Sequence, residues 1–211
     1  DIVENVIDAY WRKNGEEPKT GTIDLGWKLA HMARAMNCLD QSALQRLDAI
    51  SAALEEYRRE GLTPKNLQLI RQVLTDGVWS EVVSLPNALM QQARAAKDHA
   101  PIKAAVSAQL AVAIAILTLA PIRLRNLICI ELGQNLNKPG GANSPYWLVF
   151  PHYDVKNRVD LNFQFDNELT DLIDEYIHDF RPTLLRGANA PWLFPGEGGQ
   201  PKMKQFFSKQ I

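Results

Sequence analysis

At 211 residues the chain is long enough for one large or two ordinary domains, each with its own core. Hydrophobic residues at 46% and charged residues at 22% exclude an intrinsically disordered protein, and two cysteines exclude a disulfide framework. A formal net charge of −1 excludes a chain that is basic throughout, but leaves room for a local basic face beside an acidic one.

The first half reads as helices. Ile2, Val3, Val6, Ile7 and Tyr10 recur at helical spacing, and Thr22 or Asp24 is placed to cap a second helix carrying Leu25, Leu29, Met32 and Met36. Asp40 opens a third, with Leu44, Leu47, Ile50, Leu54 and Tyr57 before Gly61. Thr63-Pro64 pairs a capping hydroxyl with the residue best suited to a first helical turn, and Leu67, Ile70 and Leu74 form the apolar face up to Asp76-Gly77. A further helix is predicted from Pro86 to Lys97, and His99-Ala100-Pro101 marks a break. The expected organisation is therefore a helical domain over 1–98 and a second domain over 99–211.

The second half changes character. Ala104 to Ala120 is almost wholly apolar, but it is short for a membrane span and carries Ser107, Gln109 and Thr118, so it reads as a buried helix. A helix from about Ile122 to Leu132 follows, then a loop rich in Gly, Asn and Pro from Asn135 to Pro145. Tyr146 to Phe150 is a strand by composition, and Val159, Leu161, Phe163 and Phe165 alternate with polar residues to give a second. Residues 154–158 connect the two as a hairpin. Asp166 caps a helix with Leu169, Leu172, Ile173, Tyr176, Ile177 and Phe180 on one face, and a last helix begins near Pro201 after Trp192-Leu193-Phe194-Pro195-Gly196. Trp27, Trp79 and Trp147 are expected as core anchors, and His152 and His178 have no evident partner. Cys38 and Cys129 read as buried free thiols of a reducing compartment, and the opening residues lack a secretory pattern, so a cytoplasmic protein is expected.

The chemistry concentrates at Leu119-Ala120-Pro121-Ile122-Arg123-Leu124-Arg125-Asn126-Leu127, where two arginines interrupt a run that otherwise reads as core. A guanidinium in such surroundings calls for an anion, and phosphate fits its fork of donors well. The spacing puts Arg123 and Arg125 on roughly opposite sides of a helix, so one of the two is expected to be a solvated charge.

In the order of its parts the sequence resembles the tyrosine recombinases, or phage integrases. That family's first catalytic arginine follows a buried helix in a segment of the type Thr-Gly-Leu-Arg-Ile-Ser-Glu-Leu, and Ala120 to Leu127 occupies this place, with Pro121 for the glycine and Asn126 for the glutamate. The family's lysine sits in a hairpin turn, as in Asp154-Val155-Lys156-Asn157-Arg158, and its Leu-Phe-Pro segment is similar to Leu193-Phe194-Pro195. The resemblance implies a mainly α fold with a small β-sheet: a helical core-binding domain, then a truncated α/β catalytic domain.

It further implies site-specific breaking and rejoining of double-stranded DNA through a 3′-phosphotyrosyl link, by protomers that assemble as a tetramer on DNA, with no metal, cofactor, membrane or small-molecule substrate. Arg123 takes the role of the catalytic arginine and Lys156 that of the acid, while Arg125, Arg158, Lys202 and Lys204 are candidate DNA contacts. The family's His-x-x-Arg segment and nucleophilic tyrosine follow its Leu-Phe-Pro region, so a fragment is expected, and Tyr10, Tyr57, Tyr146, Tyr153 and Tyr176 all stand elsewhere. The alternatives are a non-catalytic DNA-binding or regulatory relative and a helical protein-interaction module.

Overall fold

The computed structural model describes residues 2–13, 15, 19–37, 39–58, 61–75 and 77–210, leaving aside the side chains of Val3 and Phe206. Cys38 and Asp76 lie outside the described residues. The fold is mainly helical with a small antiparallel sheet, and the chain divides into compact units Asp1–Arg71 and Gln72–Ile211.

In the first unit α1 (Ile2–Lys13) packs on α2 (Thr20–Met36), and α2 on α3 (Gln41–Glu55). Asp40 caps α3 as its sequence position predicts, accepting a 2.7 Å bond from Ala43 N. Helix α2 begins at Thr20, before both predicted caps, and Lys19 gives it no side-chain cap. Close packing of α2 on α3 relies on small residues. A Cβ at Gly26 would lie 2.9 Å from Leu54 Cδ1, and Ala30 and Ala33 are buried in a cluster with Leu47. Ile7, Ile23 and Leu54 form a second cluster. Burial is narrower than the apolar stripes, for Tyr10, Met32, Met36 and Tyr57 are exposed.

Helix α4 (Pro64–Val73) starts at the Thr63-Pro64 signal, with Asn66 N donating to Thr63 Oγ1 at 3.3 Å, but its stripe of Leu67, Ile70 and Leu74 is exposed. Helix α5 (Val78–Ala96) begins eight residues before Pro86, which it contains. An interior proline removes one helical hydrogen bond and its ring crowds the carbonyl four residues back, yet α5 continues through Pro86, which is buried along with Met90 and Ala93.

The turn at 97–100 joins α5 to α6 (Pro101–Leu119), and the two helices pack together inside the second unit. Helix α6 is long and apolar enough to cross a membrane, but 56% of its apolar window is buried inside the protein. Ala104, Ala105, Ala108, Ala111, Val112 and Ile116 are essentially inaccessible. Small side chains let neighbouring helices approach from several directions.

Helix α7 is only Leu124–Ile128. Strand β1 (Leu136–Asn137) lies in the stretch predicted as loop, and β2 (Trp147–Phe150) pairs antiparallel with it and with β3 (Leu161–Gln164), in the order β1-β2-β3. Trp147 faces Gln164 and Phe150 faces Leu161 in the β2–β3 register.

Asp166 caps α8 (Asn167–Glu175), accepting from Leu169 N at 2.8 Å. A π-helical turn, Tyr176–Phe180, then leads into α9 (Arg181–Leu185). Arg181 is buried there and donates to the carbonyls of Ala190 and Trp192, while Tyr176 Oη donates to Leu193 O at 3.1 Å. Burial pushes the Tyr176 hydroxyl well above its ordinary range. Leu193 and Phe194 are fully buried, and α10 (Lys204–Phe207) brings Phe207 against Phe194. Trp27, Trp79 and Trp147 are exposed, not core anchors; in the second unit, which holds Trp79 and Trp147, the interior is filled instead by Phe165, Tyr176, Phe180, Phe194 and Phe207.

Candidate functional site

The segment between α6 and α7 is pinned at both ends. Ala120 N donates to Ile116 O at 2.7 Å, Ile122 and Leu127 are buried, and Arg123 stands between them in extended backbone at the start of α7. Arg123 and Arg125 are both exposed. The burial expected from the sequence belongs to their neighbours Ile122, Asn126, Leu127 and Ile128, whose side chains face inward and leave the guanidiniums in solvent.

Arg123 Nη2 donates a 2.6 Å hydrogen bond to Asn157 Oδ1, 34 residues further on in the β2–β3 connection. A second tie lies beside it, where the buried Asn126 donates from Nδ2 to the Asp154 carbonyl at 3.2 Å. The connection has its own structure. A 3₁₀ turn spans His152–Asp154, Val155 is 5% exposed and sits in the core cluster, and Arg158 closes the turn at φ 53 with its N–H on Val155 O at 2.9 Å. Lys156 is therefore bracketed by a buried residue and by the residue that holds Arg123, and its side chain is exposed. Arg158 is exposed two residues later.

These ties draw Arg123, Lys156 and Arg158 into one neighbourhood. Of these three cations Arg123 is tied by a hydrogen bond to a neutral amide, and a guanidinium held in that way can take an anion, because its charge is oriented without being cancelled. Lys202 does not join it. Its ammonium lies 3.4 Å from Gln109 Oε1 and 5.5 Å from the Phe207 ring centre, half-buried, and burial lowers its pKa below the ordinary lysine range. Lys204 is exposed on α10, which packs on α7.

Three further residues of this neighbourhood are not among the site residues expected from the sequence. Asn157 and Asn126 act through single bonds to distant partners, and His152, which looked unpaired, contacts Asp160, whose Oδ1 lies 3.2 Å from His152 Nδ1 and accepts from His152 N at 2.6 Å. Only the eight-residue gap between a histidine and an aspartate flanking a hairpin could have indicated that pair.

Elsewhere, Trp27 stacks on His31 at 5.3 Å beside a concavity lined by Asp24, Ser51, Glu55 and Arg58, where Arg58 already holds both carboxylates. Among the described residues no group of three or more His, Cys, Asp or Glu side chains could hold a metal ion. Neither a protein-family model nor a curated protein matches this sequence.

Proposed function

We propose that this chain belongs to a DNA strand-breaking and rejoining protein of the tyrosine-recombinase type, with the helical first unit in the part of the core-binding domain and the second in that of the catalytic domain. The observation that carries the reading is the 2.6 Å bond from Arg123 to Asn157, which brings the arginine segment beside the hairpin lysine. Two motifs singled out separately by their order in the chain become neighbours.

The chemistry follows from what a phosphodiester needs. A tyrosine oxygen attacks the scissile phosphorus and loses its proton, the bond from phosphorus to the 5′-oxygen breaks, and the phosphate stays linked to the tyrosine. Rejoining reverses these steps, so the bond energy is retained and no external source is required. Arg123 binds the non-bridging oxygens and stabilises the charge that builds on them, a contribution of about 3 kcal/mol for one such donor. Lys156 gives its proton to the departing 5′-oxygen, a step open to an ammonium and closed to a guanidinium. The resemblance assigns the attacking tyrosine to no residue of this sequence. The partner is double-stranded DNA, on which protomers assemble as a tetramer.

Binding of a labelled DNA duplex over a series of salt concentrations tests the site. Affinity is expected to fall steeply with salt, and Arg123→Ala and Lys156→Ala each to weaken it and to reduce the slope of log K against log salt by about one. Salt-dependent binding that ignores both substitutions would favour a regulatory relative using another face. Absence of DNA binding would favour the protein-interaction module.

A further inference from the structure

Arg123 is exposed, and of the five N–H donors of its guanidinium one, on Nη2, is already taken by a neutral carboxamide. A carboxylate at position 157 would cancel the charge. An amide orients the fork and leaves its charge intact, so the pair still attracts anions while holding a neutral substitute for one.

The surrounding anchors make the substitute removable. Val155 is fixed by burial and the Asp154 carbonyl by Asn126, both on the N-terminal side of Lys156. Asn157 is exposed and holds Arg123 through its side chain alone. Rotation of one side chain frees the fork, and the backbone that carries Lys156 keeps its place.

We propose that Asn157 is a reversible latch on the phosphate-binding arginine: its Oδ1 takes a phosphate oxygen's position on Arg123 when DNA is absent and gives it up when DNA binds. This rests on the reading of Arg123 as a phosphate-binding residue. The phosphate wins the exchange because it brings a full negative charge and accepts two parallel N–H bonds from the fork, where the amide oxygen accepts one. Displacing the amide nevertheless offsets part of the gain, so the latch lowers apparent affinity for DNA.

The test is a double-mutant cycle on the chain as it stands, using fluorescence anisotropy of a short labelled DNA duplex at one fixed salt concentration. Asn157→Ala is expected to tighten binding about three- to tenfold, the range of one ordinary hydrogen bond. In the Arg123→Ala background the same substitution should change nothing, because no fork is left to release. Asn157→Asp should weaken binding beyond the wild type, by closing the latch with a charge. Melting temperatures close to wild type are expected throughout, since both side chains are at the surface. If Arg123→Ala weakens binding but Asn157→Ala leaves it unchanged or weaker, the latch is wrong and the phosphate site stands. Tightening that persists without Arg123 also rejects the latch. Binding indifferent to Arg123→Ala would overturn the phosphate-site reading, and the latch with it.

Discussion

Lys202 is a cation whose own burial works against it. Its ammonium is half-buried and finds one neutral oxygen, Gln109 Oε1, while Gln109 Nε2 is buried with no hydrogen-bond partner. Because its folded pKa is lowered, the unfolded chain holds this proton more tightly, so protonated Lys202 opposes folding at every pH below its folded value. That opposition fades as pH rises towards the ordinary lysine range of about 10.4. Tyr146 and Tyr176 act in the opposite sense. Both hydroxyls are raised by burial, so their contribution is present below about pH 10 and lost above it. Comparison with Lys202→Met isolates the lysine: urea midpoints between about pH 8 and 10 should show the variant's stability, relative to wild type, declining as pH rises. A difference independent of pH would mean that Lys202 titrates as an exposed lysine does. Arg94 shows the contrasting case, an exposed cation with a bidentate partner in Glu175 at 2.6 Å, and hydrogen bonding there raises its pKa.

The β2–β3 connection is the element on which the site depends, and Asn126 ties it to α7. Asn126→Ala should cost about 1 kcal/mol of stability and speed amide exchange across 154–158, while exchange in β2 and β3 stays slow. Uniform exchange along the whole hairpin would argue against a local tie. Elements with a chemical start signal were legible in the sequence: Asp40, Thr63-Pro64 and Asp166 all open helices. Alternation also located β3, where Leu161 and Phe163 turn inward between exposed neighbours. Pro86 does not mark a boundary, because a residue that favours a first turn also sits inside a helix when residues 78–85 are already helical. Strand β1 is two residues long, too short for any period to show. The site was legible only as two separate motifs. The bonds that join them link residues 34 and 28 positions apart, and the place of each asparagine in its own segment does not name a distant partner.

At the scale of the second unit, α6 is the axis on which α5, α8, the π-helical turn and α9 pack. Its alanines are fully enclosed, so enlargement is more harmful there than truncation. Ala108→Leu should lower stability by about 1–3 kcal/mol, seen as a lower urea midpoint, whereas Ile102→Ala on the exposed side of the same helix should fall within about 0.5 kcal/mol of wild type. Equal effects would show that α6 is not packed as tightly as its inaccessibility implies. The π-helical turn has a different kind of consequence. Its widened step carries one residue more than an α-helical turn, with Arg181 N bonded back to Tyr176 O. Removing a single residue from 176–180 would rewind the backbone and swing Arg181 by about 100°, away from the carbonyls of Ala190 and Trp192 that it satisfies. This stretch should therefore accept many exchanges of side chain but no change in residue count, a constraint visible as an absence of gaps wherever sequences of this kind are aligned.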